Sequence, residues 1–181
     1  MEDQWKIAKH DPQWKQEFVD LASKLRDSMG DQAIRIDHVG STSVLGLDAK
    51  PIIDIKLSVR DIEDILSYRG KIEKVGFILR EDNPDQTKRY FREVPGNRRV
   101  HLHVRQAGSF SEQLNLLFRD YLRDHPADCL RYAEEKHRLF ELFKNDRSSY
   151  VDGKAPIVWD IIHKAHLWSQ EIGWKPGLSD M

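Results

Sequence analysis

The residues able to do chemistry in this chain fall in three short runs. The first is His38-Val39-Gly40-Ser41-Thr42-Ser43, and Ile53-Asp54-Ile55 follows twelve residues after Ser41. A strand ending in Gly-Ser lets main-chain N–H groups and small hydroxyls approach a phosphate closely, and a carboxylate on the next strand can hold a divalent cation beside it. The same residues also suit a tight turn followed by an exposed acid. The third run carries His101 and His103, which share a face if the segment is a strand. With Asp54 they supply donors for Zn²⁺, Mn²⁺ or Fe²⁺, or one imidazole serves as general base; hydrogen bonds on a polar sheet face are the structural alternative. His38 either joins the same pocket or orders the loop. Between Arg80 and Arg105 seven basic residues face four acidic ones, a local excess of +3. Arg92 and Arg105 are the candidates to grip phosphate through paired N–H donors, against the alternative of a solvated charged face.

A sheet flanked by helices must position these groups. Asp11 and Pro12 open a helix whose Trp14, Phe18, Leu21, Leu25 and Met29 recur at helical spacing up to Gly30. Residues 33–39 alternate as a strand and lead into a Gly/Ser/Thr-rich loop ending at Gly46. In the strand after Pro51, Ile53, Ile55, Leu57 and Val59 point one way, and Ile52, Asp54, Lys56 and Ser58 the other. Asp61 is read as the cap of a second helix ending near Gly76. Residues 77–80, 88–94 and 98–105 read as strands, the last two joined by Pro95-Gly96-Asn97 as a hairpin. Beyond Gly108 the pattern is helical: Ser109 and Glu112 form a capping box, and Pro126 and Pro156 each start a helix. The expectation is one α+β (mixed α/β) domain over 1–181, with its sheet portion at about 33–105 and a C-terminal helical layer at about 109–173. Tyr150 and Lys154 either close over a ligand from that layer or pack within it. The five Trp residues read as packing groups rather than base-stacking platforms.

The run His38–Ile55 resembles the signature of GrpB family proteins, which belong to the DNA polymerase β-like nucleotidyltransferase superfamily. His101-Leu102-His103-Val104, Phe118-Arg119-Asp120-Tyr121-Leu122-Arg123-Asp124-His125-Pro126 and the Tyr150, Lys154, Ala165, Trp168 tail are also similar to the family. The resemblance implies a small mixed sheet flanked by helices, with Gly40 and Ser41 at the nucleotide-phosphate position and Asp54 at the first metal-carboxylate position. It further implies Mg²⁺ or Mn²⁺ as cofactor, with Zn²⁺ as the softer option. The superfamily pattern is Asp-x-Asp or Asp-x-Glu, whereas this chain has Asp54-Ile55-Lys56, and a lysine cannot serve as the second ligand. The strand carrying His101 and His103 corresponds to the one that supplies the third carboxylate. The expected binding set is therefore His38, Gly40, Ser41, Thr42, Ser43, Lys50, Lys56, Arg92 and Arg105, with Asp54, His101 and His103 for metal and Asp54 and His103 for catalysis.

The chain has 181 residues, 33% of them charged and 39% hydrophobic, which excludes a disordered chain. A formal net charge of −1 argues against general nucleic-acid binding, so any polyanion must be recognised locally. Cys129 is alone and allows no intrachain disulfide, and residues 1–11 lack an apolar signal core, so the cytoplasm is expected. Apolar runs fall short of the roughly 20 residues of a membrane span. The expected function is binding of a nucleotide or phosphorylated small molecule with a divalent metal and transfer of a nucleotidyl group. The alternatives are an inactive phosphate-binding module and a hydrolase built on Asp54, His101 and His103. Nothing in the sequence fixes the oligomeric state.

Overall fold

Five strands make one mixed sheet: β1 (Arg35–Val39), β2 (Ile53–Val59), β3 (Phe77–Leu79), β4 (Arg89–Glu93) and β5 (Val100–Gln106), in the order β1-β2-β5-β4-β3. The computed structural model describes residues 5–181; residues 1–4, the beginning of the stretch read for an export signal, lie outside the described residues. β2 and β5 run parallel at the centre, and the other neighbours are antiparallel. A parallel pair needs a crossover, which α2 (Ile65–Lys74), β3 and β4 supply. The hairpin forms as expected, closed by a turn in which Asn97 N–H donates to Val94 O at 3.2 Å.

The two-residue alternation of β2 decides the layers. Ile53, Ile55, Leu57 and Val59 join Val100, Leu102 and Val104 of β5 beneath α1 (Gln13–Met29) and α2 in one apolar core. The opposite face carries Asp54, Lys56 and Ser58, and there α3 (Phe110–Asp124) crosses the sheet. α3, α4 (Pro126–Leu142) and α6 (Ala155–Ile172) enclose a second core with Val44 and Leu47 of the loop after β1. The fold is mixed α+β, as the sequence predicts. Among the described residues, no helix is long and apolar enough to cross a membrane.

Local chemistry explains the differences from the sequence reading. α2 starts at Ile65 rather than just after Asp61, because Asp61 Oδ1 accepts the Glu63 N–H at 2.9 Å and closes a turn before the helix begins. Only half of the capping box forms. Ser109 Oγ accepts the Glu112 N–H at 3.3 Å, while the Glu112 carboxylate turns inward to accept from Gly108 N and Ser58 Oγ. α5 (Arg147–Gly153) was not expected; Asp146 caps it by accepting the Ser149 N–H at 3.0 Å. The last residues lie along β1: Met181 N–H donates to Ile36 O, the N–H groups of Ile36 and His38 donate to Ser179 Oγ and Asp180 Oδ2, and Arg35 donates to Gly177 O.

Candidate functional site

The parallel register places Asp54 beside His101 and Lys56 beside His103. Both imidazoles lean toward the same carboxylate oxygen, with His101 Nδ1 at 3.1 Å and His103 Nε2 at 3.5 Å from Asp54 Oδ1. Tyr90 of β4 stacks on His103 at 5.3 Å and meets His101 edge-on at 5.7 Å, which fixes both rings. Burial alone would raise the Asp54 carboxyl, but the hydrogen bonds from His101 and His103 overcome it and hold the acid well below the usual carboxylate range. Burial lowers His103, with Asp54 opposing. Asp54 is therefore ionised, and His103 presents a neutral imidazole near neutral pH.

This cluster fits a metal ion. One donor atom from each of Asp54, His101 and His103 lies within 4.8 Å of the others. Bonds of about 2.1 Å give ligand-to-ligand edges of about 3.0 to 3.4 Å, close to the separations around Asp54 Oδ1. The far nitrogens, His101 Nε2 and His103 Nδ1, are buried without a hydrogen-bond partner, a polar deficit that water or a ligand must meet. Two nitrogens and one oxygen match Mn²⁺, Fe²⁺ or Zn²⁺ better than Mg²⁺, which prefers an all-oxygen shell, so the Mg²⁺ expectation fits this donor set poorly.

The loop after β1 abuts the cluster. Gly40 adopts φ +70°, and a Cβ there would overlap Asp54 Oδ2 and approach the Asp54 Cβ and Cγ at 2.9 Å. Only glycine permits this contact. Ser41–Ser43 form a 3₁₀ turn, Ser43 Oγ donates to Gly40 O at 2.6 Å, and Arg123 of α3 donates twice to Ser43 O. His38 belongs to the other sheet face: it stacks on Phe18 at 4.7 Å, and burial lowers its pKa to about 4. Because Thr42 Oγ1 donates to Ile52 O, it accepts from His38 Nε2–H at 3.0 Å. His38 and Thr42 order the loop and do not touch the pocket together: Thr42 reaches its wall, His38 does not.

A pocket of about 220 Å³ opens over Asp54 and His101, bounded by Ser41, Lys50, Arg147, Tyr150 and Lys154. Three cations meet there. Lys50 Nζ sits between the rings of Trp5 and Tyr150 at 4.1 and 4.2 Å. Burial, aided by Arg147 and Lys154, pulls the Lys50 pKa down to about 7, and burial also lowers Lys154. Among the described residues none of the three forms an ion pair with an acid. Behind the loop, Lys136 of α4 donates to Ser41 Oγ at 3.1 Å and to Asp48 O, and burial lowers it to about 7.

Besides His38, three expected binding residues lie away from the pocket. Lys56 is fully buried under α3, 3.8 Å from Asp37 Oδ2 and donating to Glu112 O at 3.4 Å, so it offers nothing to a ligand. Arg105 donates to Thr87 Oγ1 at 2.7 Å and clamps the β3–β4 connection. Arg92 pairs with Glu93 through two 3.1 Å hydrogen bonds. Sequence reasoning missed Arg147, which sits on the unexpected α5, and Lys136. The latter did leave a signal, a cation in the buried stripe Cys129, Tyr132, Ala133, Leu139.

Residues 4–164 match the family described as GrpB protein. A UPF0157 protein of Halalkalibacterium halodurans is 38% identical over 160 residues, covering 88% of this chain and 82% of that protein. The crystal structure of conserved protein GrpB from Enterococcus faecalis aligns with a TM-score of 0.81 and 29% identity, covering 90% of this chain and 99% of that chain. Terminal uridylyl transferase 4 from Trypanosoma brucei, with bound CTP, aligns with a TM-score of 0.50 and 16% identity, covering 89% of this chain and 53% of that chain. That last likeness shows a shared nucleotidyltransferase-like fold.

Proposed function

The chain belongs to the GrpB family, and from that premise we propose that it binds a nucleotide or other phosphorylated small molecule together with one divalent transition-metal ion. The observation that carries this reading is the Asp54–His101–His103 cluster opening into a pocket whose other charged groups, Lys50, Arg147 and Lys154, are cations without acidic partners among the described residues. Asp54 supplies the anionic ligand, and His101 and His103 supply imidazole nitrogens. A bound ion would neutralise phosphate charge and polarise a P–O bond. Lys50, Arg147 and Lys154 attract phosphate oxygens, while the close approach of Gly40 to Asp54 brings main chain to the same place.

With Lys56 sealed away, the residues here hold one ion rather than two. Nucleotidyl transfer at this site joins an acceptor oxygen to the α-phosphorus of a nucleoside triphosphate, breaks the bond to the bridging oxygen and releases pyrophosphate. The nitrogen-rich donor set also suits hydrolysis, in which water takes the acceptor's place. Calorimetric titration of each nucleoside triphosphate with Mn²⁺ or Zn²⁺, followed by product analysis, tests binding and reaction together. Asp54→Asn is expected to weaken metal-linked binding by about 10- to 100-fold. Unchanged binding in that variant overturns the assignment.

A further inference from the structure

Next to the pocket, and sharing Lys50, Ile52 and Arg147 with it, lies an open basin of about 680 Å³. Its charged lining consists of Lys6, Lys50, Arg98, Arg99, Lys144 and Arg147, with no acidic side chain among the described residues that line it. Three of these cations are balanced from outside: Arg98 pairs with Glu17 at 2.9 Å, Arg99 with Glu93 at 3.1 Å and Lys144 with Glu141 at 2.6 Å. Lys6, Lys50 and Arg147 have no acidic partner among the described residues. The charge of Lys6, Lys50 and Arg147, gathered without counter-charge among the described residues, raises the energy of the free protein, and an anion relieves that cost.

Size adds a second constraint. Sites that enclose a drug-sized ligand measure about 300 to 1,000 Å³, so the inner pocket is too small for a nucleotide and the basin is not. The rings nearest the basin are already occupied, because Trp5 packs against Phe140 and Tyr150 and carries Lys50 over its face. The basin thus offers charge rather than a free stacking surface.

We propose that the basin is a second anion subsite, so that the ligand carries phosphate groups on both sides of Lys50 and Arg147: one at Asp54 and His101, the others beside Lys6, where Arg98 and Lys144, each shared with a glutamate, add positive charge at the basin wall. This rests on the phosphate-binding reading of the inner pocket and narrows its ligand class to oligophosphates, meaning nucleoside polyphosphates or small molecules phosphorylated at two positions.

Calorimetry of the Mn²⁺-saturated full chain, with orthophosphate, pyrophosphate, tripolyphosphate and tetrapolyphosphate each pre-equilibrated at the same free Mn²⁺ concentration as probes, tests the length dependence. Affinity is expected to rise by about tenfold or more from pyrophosphate to tetrapolyphosphate. The exposed double variant Lys6→Glu/Lys144→Glu is expected to flatten that rise and leave orthophosphate binding unchanged. Lys24→Glu/Lys74→Glu, an equal charge change on the helices covering the other sheet face, is expected to leave the rise intact. Equal affinity for all four probes, or equal weakening by both double variants, overturns the subsite while leaving the inner pocket standing. Length-dependent binding with no orthophosphate or pyrophosphate binding counts against the inner pocket instead. A nucleoside triphosphate and a nucleoside 3′,5′-bisphosphate separate the two sources of the second phosphate. A single-stranded oligoribonucleotide that outcompetes tetrapolyphosphate and responds to Lys6→Glu/Lys144→Glu overturns the small-molecule class.

Discussion

The polar face of the sheet holds two charge clusters one β-step apart, and they are opposites. Around Lys56, charges interlock: Asp37 receives two hydrogen bonds from the half-buried Arg35 and lies 3.8 Å from Lys56 and 3.7 Å from Arg119, and Asp37, Lys56 and Arg119 are all buried. Around Asp54, among the described residues, two imidazole nitrogens lack hydrogen-bond partners, three cations lack acids and a pocket stands open. Charge density alone does not mark a ligand site. Unsatisfied valence beside free space does.

The largest expected effect attacks the closed cluster. Asp37→Ala leaves Lys56 and Arg119 buried without their central acid and is expected to cost about 3 to 5 kcal/mol in urea unfolding. A loss below about 1 kcal/mol breaks the contrast, because the network would then be as slack as the open site. Lys56→Asp, which reads from sequence as the restoration of a second metal carboxylate, places a second acid beside Asp37 and is expected to destabilise without gaining metal affinity. Next in size is Gly40→Ala. The positive φ and the overlap with Asp54 predict a cost of about 1 to 3 kcal/mol in thermal unfolding, together with weakened Mn²⁺ binding in a titration. Unchanged metal affinity would uncouple the loop from the acid.

The smallest effect is a pH dependence of anion affinity at the open site. Lys50, facing Trp5, Tyr150, Arg147 and Lys154, is charged below its pKa of about 7 and neutral above it. Sulfate keeps its double charge across this range, so its affinity is expected to fall several-fold, by less than about tenfold, as pH rises from 6 to 8. Lys50→Arg, charged throughout, is expected to flatten that curve, and a flat curve in the unaltered chain contradicts the role given to Lys50.

The contrast also explains what the sequence reveals. Alternation in β2 and β5 put Asp54, His101 and His103 on faces that the parallel register then joined, so the sheet and the meeting of these three side chains were legible. The fates of Lys56 and Arg105 were not, because whether a charge reaches solvent depends on what crosses above it: α3 in one case and the β3–β4 connection in the other. His38 was ambiguous for a related reason. Its strand parity places it on the apolar face, yet its hydrogen bond to Thr42 serves the loop. Arg147 lacked a signal because its helix spans seven residues and owes its start to a local Asp146 cap.

Residues 177–181 take up outward main-chain groups of β1 that would otherwise be free to recruit another chain. The closing segment works as a selvedge for the sheet. If it peels away, Arg119 loses its contact with Asp180 and the strand margin becomes adhesive, so self-association on gentle warming should begin along that border before the interior melts.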